Sequence, residues 1–321
     1  MNPAAHLYRT LPRQVPLAPG ALTIGNFDGV HLGHQAILQQ VCQHARIQGL
    51  VPSVMTFAPH PRAFFARKGG RPELIPTQIS TLRDKAAMLA AHGMQRIVIQ
   101  RFNQQLADMS AEDFIRKLLV EGLNTRWLLV GEDFRYGHKR SGDVALLRRM
   151  GEIHGFEVQT LADVNDRHGQ RISSSALRTA LAVGNLDHSR QLLGAPFRIS
   201  GHVIHGQKLG RNLGFPTLNL RVPAPCAARS GIYVVRVHGL QDQPLPGVAS
   251  LGVRPTVTRD GPLLLETHII DQGVNAYGKL VCVEFLEFLR DEEYFPDLTT
   301  LIAAIQQDVQ GARDYFASHG L

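Results

Sequence analysis

Between Thr23 and His34 the chain reads T-I-G-N-F-D-G-V-H-L-G-H, following a short apolar run and opening a helix-like pattern. Gly25, Gly29 and Gly33 let a backbone turn tightly and approach a ligand closely. A helix start presents free N–H groups and a positive dipole end, which favour phosphate. His31 and His34 stand three residues apart and would face the same way on a first helical turn. Two imidazoles so placed can donate to phosphate oxygens and stabilise charge in the transition state of a phosphoryl-group reaction. Two other readings stand beside this one: His31 as a turn cap with His34 solvated, and a zinc pair with no third ligand in view. A second phosphate-suited element is the run Arg171-Ile172-Ser173-Ser174-Ser175-Ala176-Leu177-Arg178. Ser173, Ser174 and Ser175 at a helix start can cap its N–H groups or hold a phosphate with them. Arg178, three after Ser175, would point back over that turn and pair with a triphosphate. The alternative is a plain serine cap with a solvent-exposed arginine.

The other dense signal is the loop G-Q-K-L-G-R-N-L-G-F-P-T-L-N at Gly206–Asn219. Gly206, Gly210 and Gly214 permit close backbone contact with phosphates. No GK[ST] follows, so this is not a Walker A loop. If the segment is extended, Thr217 and Asn219 alternate onto one face. A hydroxyl and an amide oxygen are suitable hard ligands for a Mg²⁺ ion that arrives with phosphates. The alternative is a Gly-Pro turn between strands. Glu266 lies in the apolar strand L-L-L-E-T-H-I-I. A carboxylate among apolar neighbours is costly without a task or a partner. One such task is to take the proton of a hydroxyl that attacks a γ-phosphate. A solvent-facing strand glutamate fits the same spacing.

Alternating strands and helices would position the first set. Strands are expected at Ala21–Gly25, Val51–Phe57, Arg96–Gln100, Trp127–Val130 and Glu157–Leu161. Helices are expected at His34–Gly49, Thr81–His92, Ala111–Glu121 and Val144–His154, with a loop at Gly131–Gly142. This alternation predicts a parallel sheet with crossover helices, and ligands at the carboxyl ends of its strands. From Arg198 on, short strands dominate: Arg198–His205, Gly231–His238, Gly247–Leu251, Leu263–Ile270 and Lys279–Leu289. They predict a small antiparallel barrel or sandwich. Leu301, Ile302, Ile305, Val309 and Ala312 predict a terminal helix over Leu298–Phe316. A boundary near Gly184–Gly194 divides the chain into expected domains 1–185 and 186–321.

The bulk composition suits two soluble domains: 321 residues, 44% hydrophobic and 19% charged. A net charge of +7, carried mostly by arginine, suits anionic small-molecule ligands, and with no basic run of five or more residues and a single Trp nucleic acid is not an expected partner. Cys42, Cys226 and Cys282 form no CxxC or CxxH pair, which argues against structural zinc and fits a reducing cytoplasm. Neither a signal peptide nor a run of the ~20 apolar residues that span a bilayer is present, so no membrane association is expected. Oligomeric state is not indicated.

HxGH with an ISSxxxR-like element resembles the nucleotidyltransferase superfamily, whose members transfer a nucleotidyl group from ATP with loss of pyrophosphate. The longer run G-N-F-D-G-V-H-L-G-H, with V-M-T-F-A-P-H-P-R at Val54–Arg62 and V-G-E-D-F-R-Y-G at Val130–Gly137, is similar to bacterial FAD synthetases. That resemblance implies a Rossmann-like α/β domain in which His31 and His34 contact ATP phosphates. It further implies that Gly25, Asn26, Phe27, Asp28 and Gly29 form the nucleotide loop and that Asp133 lies in the active site. Ala58 departs from the acidic residue often found before the PHP run. The second half, with GxxxGRxLGFPTxN, L-E-T-H at Leu265–His268 and F-L-R-D-E-E-Y-F at Phe288–Phe295, resembles riboflavin kinase. Here the resemblance implies a β-barrel with a C-terminal helix. It places Gly206, Gly210, Arg211, Gly214, Thr217 and Asn219 at MgATP and makes Glu266 the catalytic base. The two motif sets, in this order, resemble bacterial bifunctional riboflavin kinase/FAD synthetase (FMN adenylyltransferase), which implies ATP and Mg²⁺ as co-reactants and riboflavin, FMN and FAD as substrates and products.

Overall fold

The computed structural model describes residues 5–10, 17–206, 210, 213–253 and 261–320. The chain resolves into two compact units, Met1–Pro76 with Lys85–Ser173, and Thr77–Asp84 with Ser174–Leu321.

In the first unit six parallel strands stand in the order β1-β4-β3-β2-β5-β6. They are β1 (His6–Tyr8), β2 (Gly20–Ile24), β3 (Val51–Ala58), β4 (Arg96–Arg101), β5 (Thr125–Gly131) and β6 (Glu157–Leu161). The central strands read as unbroken apolar runs because both faces are covered. Alternate residues divide between the faces. Leu22, Ile24, Met55, Val98, Leu128 and Val130 pack with Phe114, Ile115, Leu118 and Leu119. Ala21, Val54, Ile97, Ile99, Trp127 and Leu129 pack on the other side with Leu38 and Val41 of α1 (Leu32–Gln48). From β2 the chain proceeds outward through β3 and β4, then crosses back to β5 on the opposite side of β2. That reversal opens a crevice beyond the carboxyl ends of β2 and β5, where open α/β sheets take their ligands.

Around the sheet lie α2 (Pro61–Lys68), α3 (Leu82–Ala91), whose residues from Lys85 on belong to this unit, and two short turns, α4 (Gln104–Ala107) and α5 (Ala111–Asp113). The helix expected over Ala111–Glu121 continues from α5 as a π-helix, Phe114–Gly122. Its wider winding still buries Phe114, Ile115, Leu118 and Leu119. α6 (Val144–His154) is capped by Asp143, whose carboxylate accepts from Leu146 N at 2.9 Å, and ends on the left-handed Gly155.

In the second unit six antiparallel strands follow the order β7-β12-β9-β10-β11-β8. They are β7 (Phe197–His202), β8 (Thr217–Arg221), β9 (Gly231–His238), β10 (Leu245–Val253), β11 (Leu263–Ile269) and β12 (Leu280–Arg290). Ile204 N donates to Asn219 O at 2.8 Å, which brings the edge beyond β7 onto β8 and curls the sheet toward closure. Leu218, Leu220, Leu265, Ala249, Leu251, Val235 and Val283 fill the interior. The terminal helix α9 (Leu298–Ser318; α7 is Ser174–Ala182 and α8 is Leu186–Leu193) lays Val309, Ala312 and Phe316 on Ile232, Val234 and Val248 of the opposite sheet face. Arg290 of β12 clamps Asp308 of α9 with two bonds of 2.8 and 2.7 Å. The parallel α/β sheet with flanking helices and the antiparallel barrel with its C-terminal helix agree with the architecture expected from sequence.

Candidate active sites

The strand β2 is fully buried and ends at Ile24, and Gly25 N donates to Met55 O at 3.1 Å as the chain leaves the sheet. The next residues are bent hard: Phe27, Gly29 and Val30 have φ of 47°, 86° and 42°. For Gly29 this conformation is cheap, but for Phe27 and the β-branched Val30 it costs about 1–3 kcal/mol each. Both side chains are buried, Phe27 at 1% exposure and Val30 at 0%. Burying side chains of this size contributes about 1.5–3 kcal/mol each, enough to offset the strain. Polar anchors add to this. Asn26 O accepts from Thr56 Oγ1 at 2.9 Å and from Lys85 Nζ at 2.8 Å.

The turn delivers His31 to the N-cap of α1, where its Nδ1 accepts from His34 N at 3.3 Å. In the neutral ring this places the proton on Nε2 as a donor. The two rings stack, with centroids 3.7 Å apart and planes at 18°, and Phe27 lies 4.9 Å from His34. The cap and the paired imidazoles, read as alternatives from sequence, coexist in one arrangement. No acidic residue occupies the first turn of α1, so its positive end is not offset locally. A Cβ on Gly33 would come within 3.2 Å of both His31 Nδ1 and Ile172 O, so that position admits little beyond hydrogen.

Across the crevice, Asp133 follows the end of β5 and is exposed. Arg171 reaches it at 3.6 Å and bonds Asp163 at 2.9 Å. Thus residues 25–34 and Asp133 flank the switch point of the sheet. Ser173 closes this unit, whereas Ser174, Ser175 and Arg178 fall within the second. Ser174 and Ser175 are the first residues of α7, the position expected of them. One turn on, Arg178 Nε donates to Thr77 O at 2.7 Å, a backbone partner that motif spacing does not reveal.

In the second unit, strand register assembles the polar residues. Asn219 of β8 pairs with Glu266 of β11, which pairs with Ser250 of β10. One step along, Thr217 pairs with His268. Residues directly opposite share a sheet face, so Thr217, Asn219, Glu266, His268 and Ser250 form one polar patch. It lies on the face that α9 covers further along, opposite the barrel interior. Asn219 is 4% exposed and its Nδ2 donates toward Thr217 O at 3.2 Å and Thr217 Oγ1 at 3.4 Å. His268 Nδ1 lies 3.0 Å from Pro216 O, and its ring meets Phe215 edge-on. A small cavity beside Thr217 is lined by Val203, Pro216, Ala276 and Tyr277. Glu292 Oε1 accepts from Ser250 Oγ at 3.2 Å, and burial followed by the charge of Glu266 raises its carboxyl above the usual range.

The loop glycines have separate causes. A Cβ on Gly206 would stand 2.7 Å from Asn219 Nδ2, and one on Gly210 would collide with Phe215 O. Gly214 has φ 88°. Arg211 lies outside the described residues. Gly206→Ala is therefore expected to displace the Asn219 amide and lower the activity of this unit by about tenfold, with the other unit unaffected. Separate assays of the two activities check it. Thr217 Oγ1 stands 3.4 Å from Asn219 Nδ2, so a hydroxyl and an amide lie side by side; with the amide turned to present its oxygen they would make a hard donor pair for a cation whose remaining ligands come from phosphates. Among the described residues no group of three or more His, Cys, Asp or Glu is placed to hold a metal ion. Sequence reasoning gave no role to Lys85, Thr56, Ser250 or Glu292, although Thr56 and Glu292 stand inside the motif runs Val54–Arg62 and Phe288–Phe295. A helical lysine is ordinarily solvated, and Glu292 reaches Ser250 only through the chain return after β12.

The fold and these arrangements define a class: an α/β unit with a phosphate-suited loop at its switch point, joined to a β-barrel unit with a second phosphate- and cation-suited patch. Comparison with known proteins narrows it. Residues 15–176 match the FAD synthetase family model and residues 193–316 match that of riboflavin kinase. A bifunctional riboflavin kinase/FMN adenylyltransferase of Escherichia coli (strain K12) is 41% identical over 94% of this chain and 95% of its own length. Its counterpart from Pseudomonas fluorescens is 42% identical over 91% of each chain. The chain belongs to the bifunctional riboflavin kinase/FMN adenylyltransferase family. Among solved structures, one titled as a macrolide-efflux protein from Streptococcus pneumoniae superposes with a TM-score of 0.76 at 27% identity, over 96% of this chain and 98% of that one. Among the described residues no helix is long and apolar enough to cross a membrane.

Proposed function

We propose that the chain phosphorylates riboflavin to FMN within residues 186–321 and adenylylates FMN to FAD within residues 1–185, using ATP in both steps. The observation that carries this reading is the pairing of two phosphate-suited arrangements with two family models in the same order. In the kinase step Glu266 takes the proton of the ribityl 5′-hydroxyl as that oxygen attacks the γ-phosphate and ADP leaves. Thr217 and Asn219 would hold Mg²⁺ that arrives with ATP. Bound there, the ion neutralises charge on the phosphates. Gly206, Gly210 and Gly214 line the phosphate path, and the family resemblance assigns Arg211 to the same nucleotide.

In the adenylyl step an FMN phosphate oxygen attacks the α-phosphate of ATP, and pyrophosphate leaves. Gly25, Asn26, Phe27, Asp28 and Gly29 shape the loop around the nucleotide. His31 and His34 stabilise charge developing on the phosphates. Asp133 and Ser173 complete the nucleotide contacts of this unit, and the family resemblance extends the nucleotide-binding role to Ser174, Ser175 and Arg178. The partners are small molecules, and the compartment is the cytoplasm.

Incubation of the purified protein with riboflavin, ATP and Mg²⁺, followed by chromatographic separation of flavins over time, tests the whole scheme. FMN rising first and FAD following is the expected course. Failure to form either product would overturn the assignment.

A further inference from the structure

Lys85 is 8% exposed, an unusual place for an ammonium group. Burial lowers its pKa, and the charge of Asp28 acts in the opposite direction. A buried cation is costly unless it has partners and a task. Its partners are specific: Nζ donates to Asn26 O at 2.8 Å and lies 3.4 Å from Thr56 Oγ1. Thr56, itself fully buried, donates to the same carbonyl at 2.9 Å. Satisfying Asn26 O thus does not require an ammonium group. The charged form is favoured instead by the buried carboxylate of Asp28, two residues on. Lys85 therefore anchors the loop at Asn26, next to Phe27, the first of its two left-handed non-glycine residues. That loop sets where His31 and the start of α1 stand.

We infer that Lys85 is a positioning residue for FMN adenylylation, holding the 25–31 loop in the strained conformation that aims His31 and the N-terminus of α1 at the ATP phosphates. This rests on the adenylylation proposed above. It acts through the loop and touches no reacting atom. Misplacing reacting groups by about 1 Å can cost about 100-fold in rate, and the loss belongs in kcat because the loop is aimed at the transition state.

The experiment compares wild type with Lys85→Met and Lys85→Arg in the full chain. FAD formation from FMN and FMN formation from riboflavin are assayed separately, with thermal unfolding as the folding control. Lys85→Met, which keeps length but no charge, is expected to lower kcat for FAD formation about 100-fold, with KM for ATP within about threefold and FMN formation unchanged. Lys85→Arg is expected to recover at least about tenfold of that loss, which mere filling of the space would not. If Lys85→Met does not fold, Thr56→Val removes the second anchor on the same carbonyl and is expected to lower kcat for FAD formation about tenfold. A wild type that makes no FAD would defeat the adenylylation reading itself. An active wild type would overturn the positioning role if folded Lys85→Met retained its kcat, lost only ATP affinity, or matched Lys85→Arg, or if Thr56→Val in the second case changed nothing.

Discussion

Glu266→Gln is expected to lower riboflavin phosphorylation by about 100-fold or more, while FAD formation from supplied FMN stays within about twofold. Glutamine keeps the volume of the side chain and an oxygen acceptor but cannot take a proton. General-base contributions run at about 10²–10⁴-fold, and phosphoryl transfer sits at the lower end because its loose transition state asks more for positioning than for proton removal. Glu266 stands in register between Asn219 and Ser250, so an isosteric replacement leaves the strand pairing intact. The loss should fall in kcat, with KM for ATP little changed. Separate steady-state assays of the two steps decide the matter. A variant with wild-type kcat would show that the polar row only holds its ligands and that the hydroxyl proton leaves by another route.

The architecture was legible where hydrophobic period and punctuation coincide. Val144–His154, Glu157–Leu161 and Gly231–His238 occur with the bounds expected, each closed by glycine, an Asp cap or a clean change of period. Elements that escaped notice lack such signals. The first strand, His6–Tyr8, has three residues and is largely exposed. Pro59 and Pro61 mark the end of a strand, yet Pro61 also opens α2, where a first-turn proline loses no hydrogen bond. Over Phe114–Gly122 the apolar spacing reports a buried helical face without revealing whether the turn is α or π. Leu186–Leu193 is a short helix capped by Asn185 within the stretch read as a domain boundary.

The candidate sites were legible as residue types and illegible as geometry. Glycine spacing flagged the 25–33 loop, but the left-handed Phe27 and Val30 run against local preference and are held by tertiary burial. Period two alone could not say whether Glu266 faced the barrel interior or the outer face. Strand register decides that by placing it beside Asn219. Spacing could aim Arg178 back over its serines, but it could not foresee the Thr77 carbonyl, 101 residues earlier, that accepts from its Nε.

His31→Ala is expected to lower FAD formation by about 10²–10³-fold and to spare FMN formation, since removing one donor aimed at developing charge typically has that effect. The substitution also removes the N-cap of α1, which on its own costs about 1 kcal/mol of stability. The two losses must be separated, and His31→Asn does so. Asparagine is among the best N-cap residues and can accept from the His34 amide as the imidazole does, but it brings no ring to stack on His34 and no Nε2 donor. Thermal unfolding should therefore return toward wild type in His31→Asn, while adenylylation stays near the level of the alanine variant. Recovery of both together would mean that His31 serves α1 as a cap and that the phosphate charge is met by His34 and the helix N–H groups. Recovery of stability alone places the imidazole at the reacting phosphates.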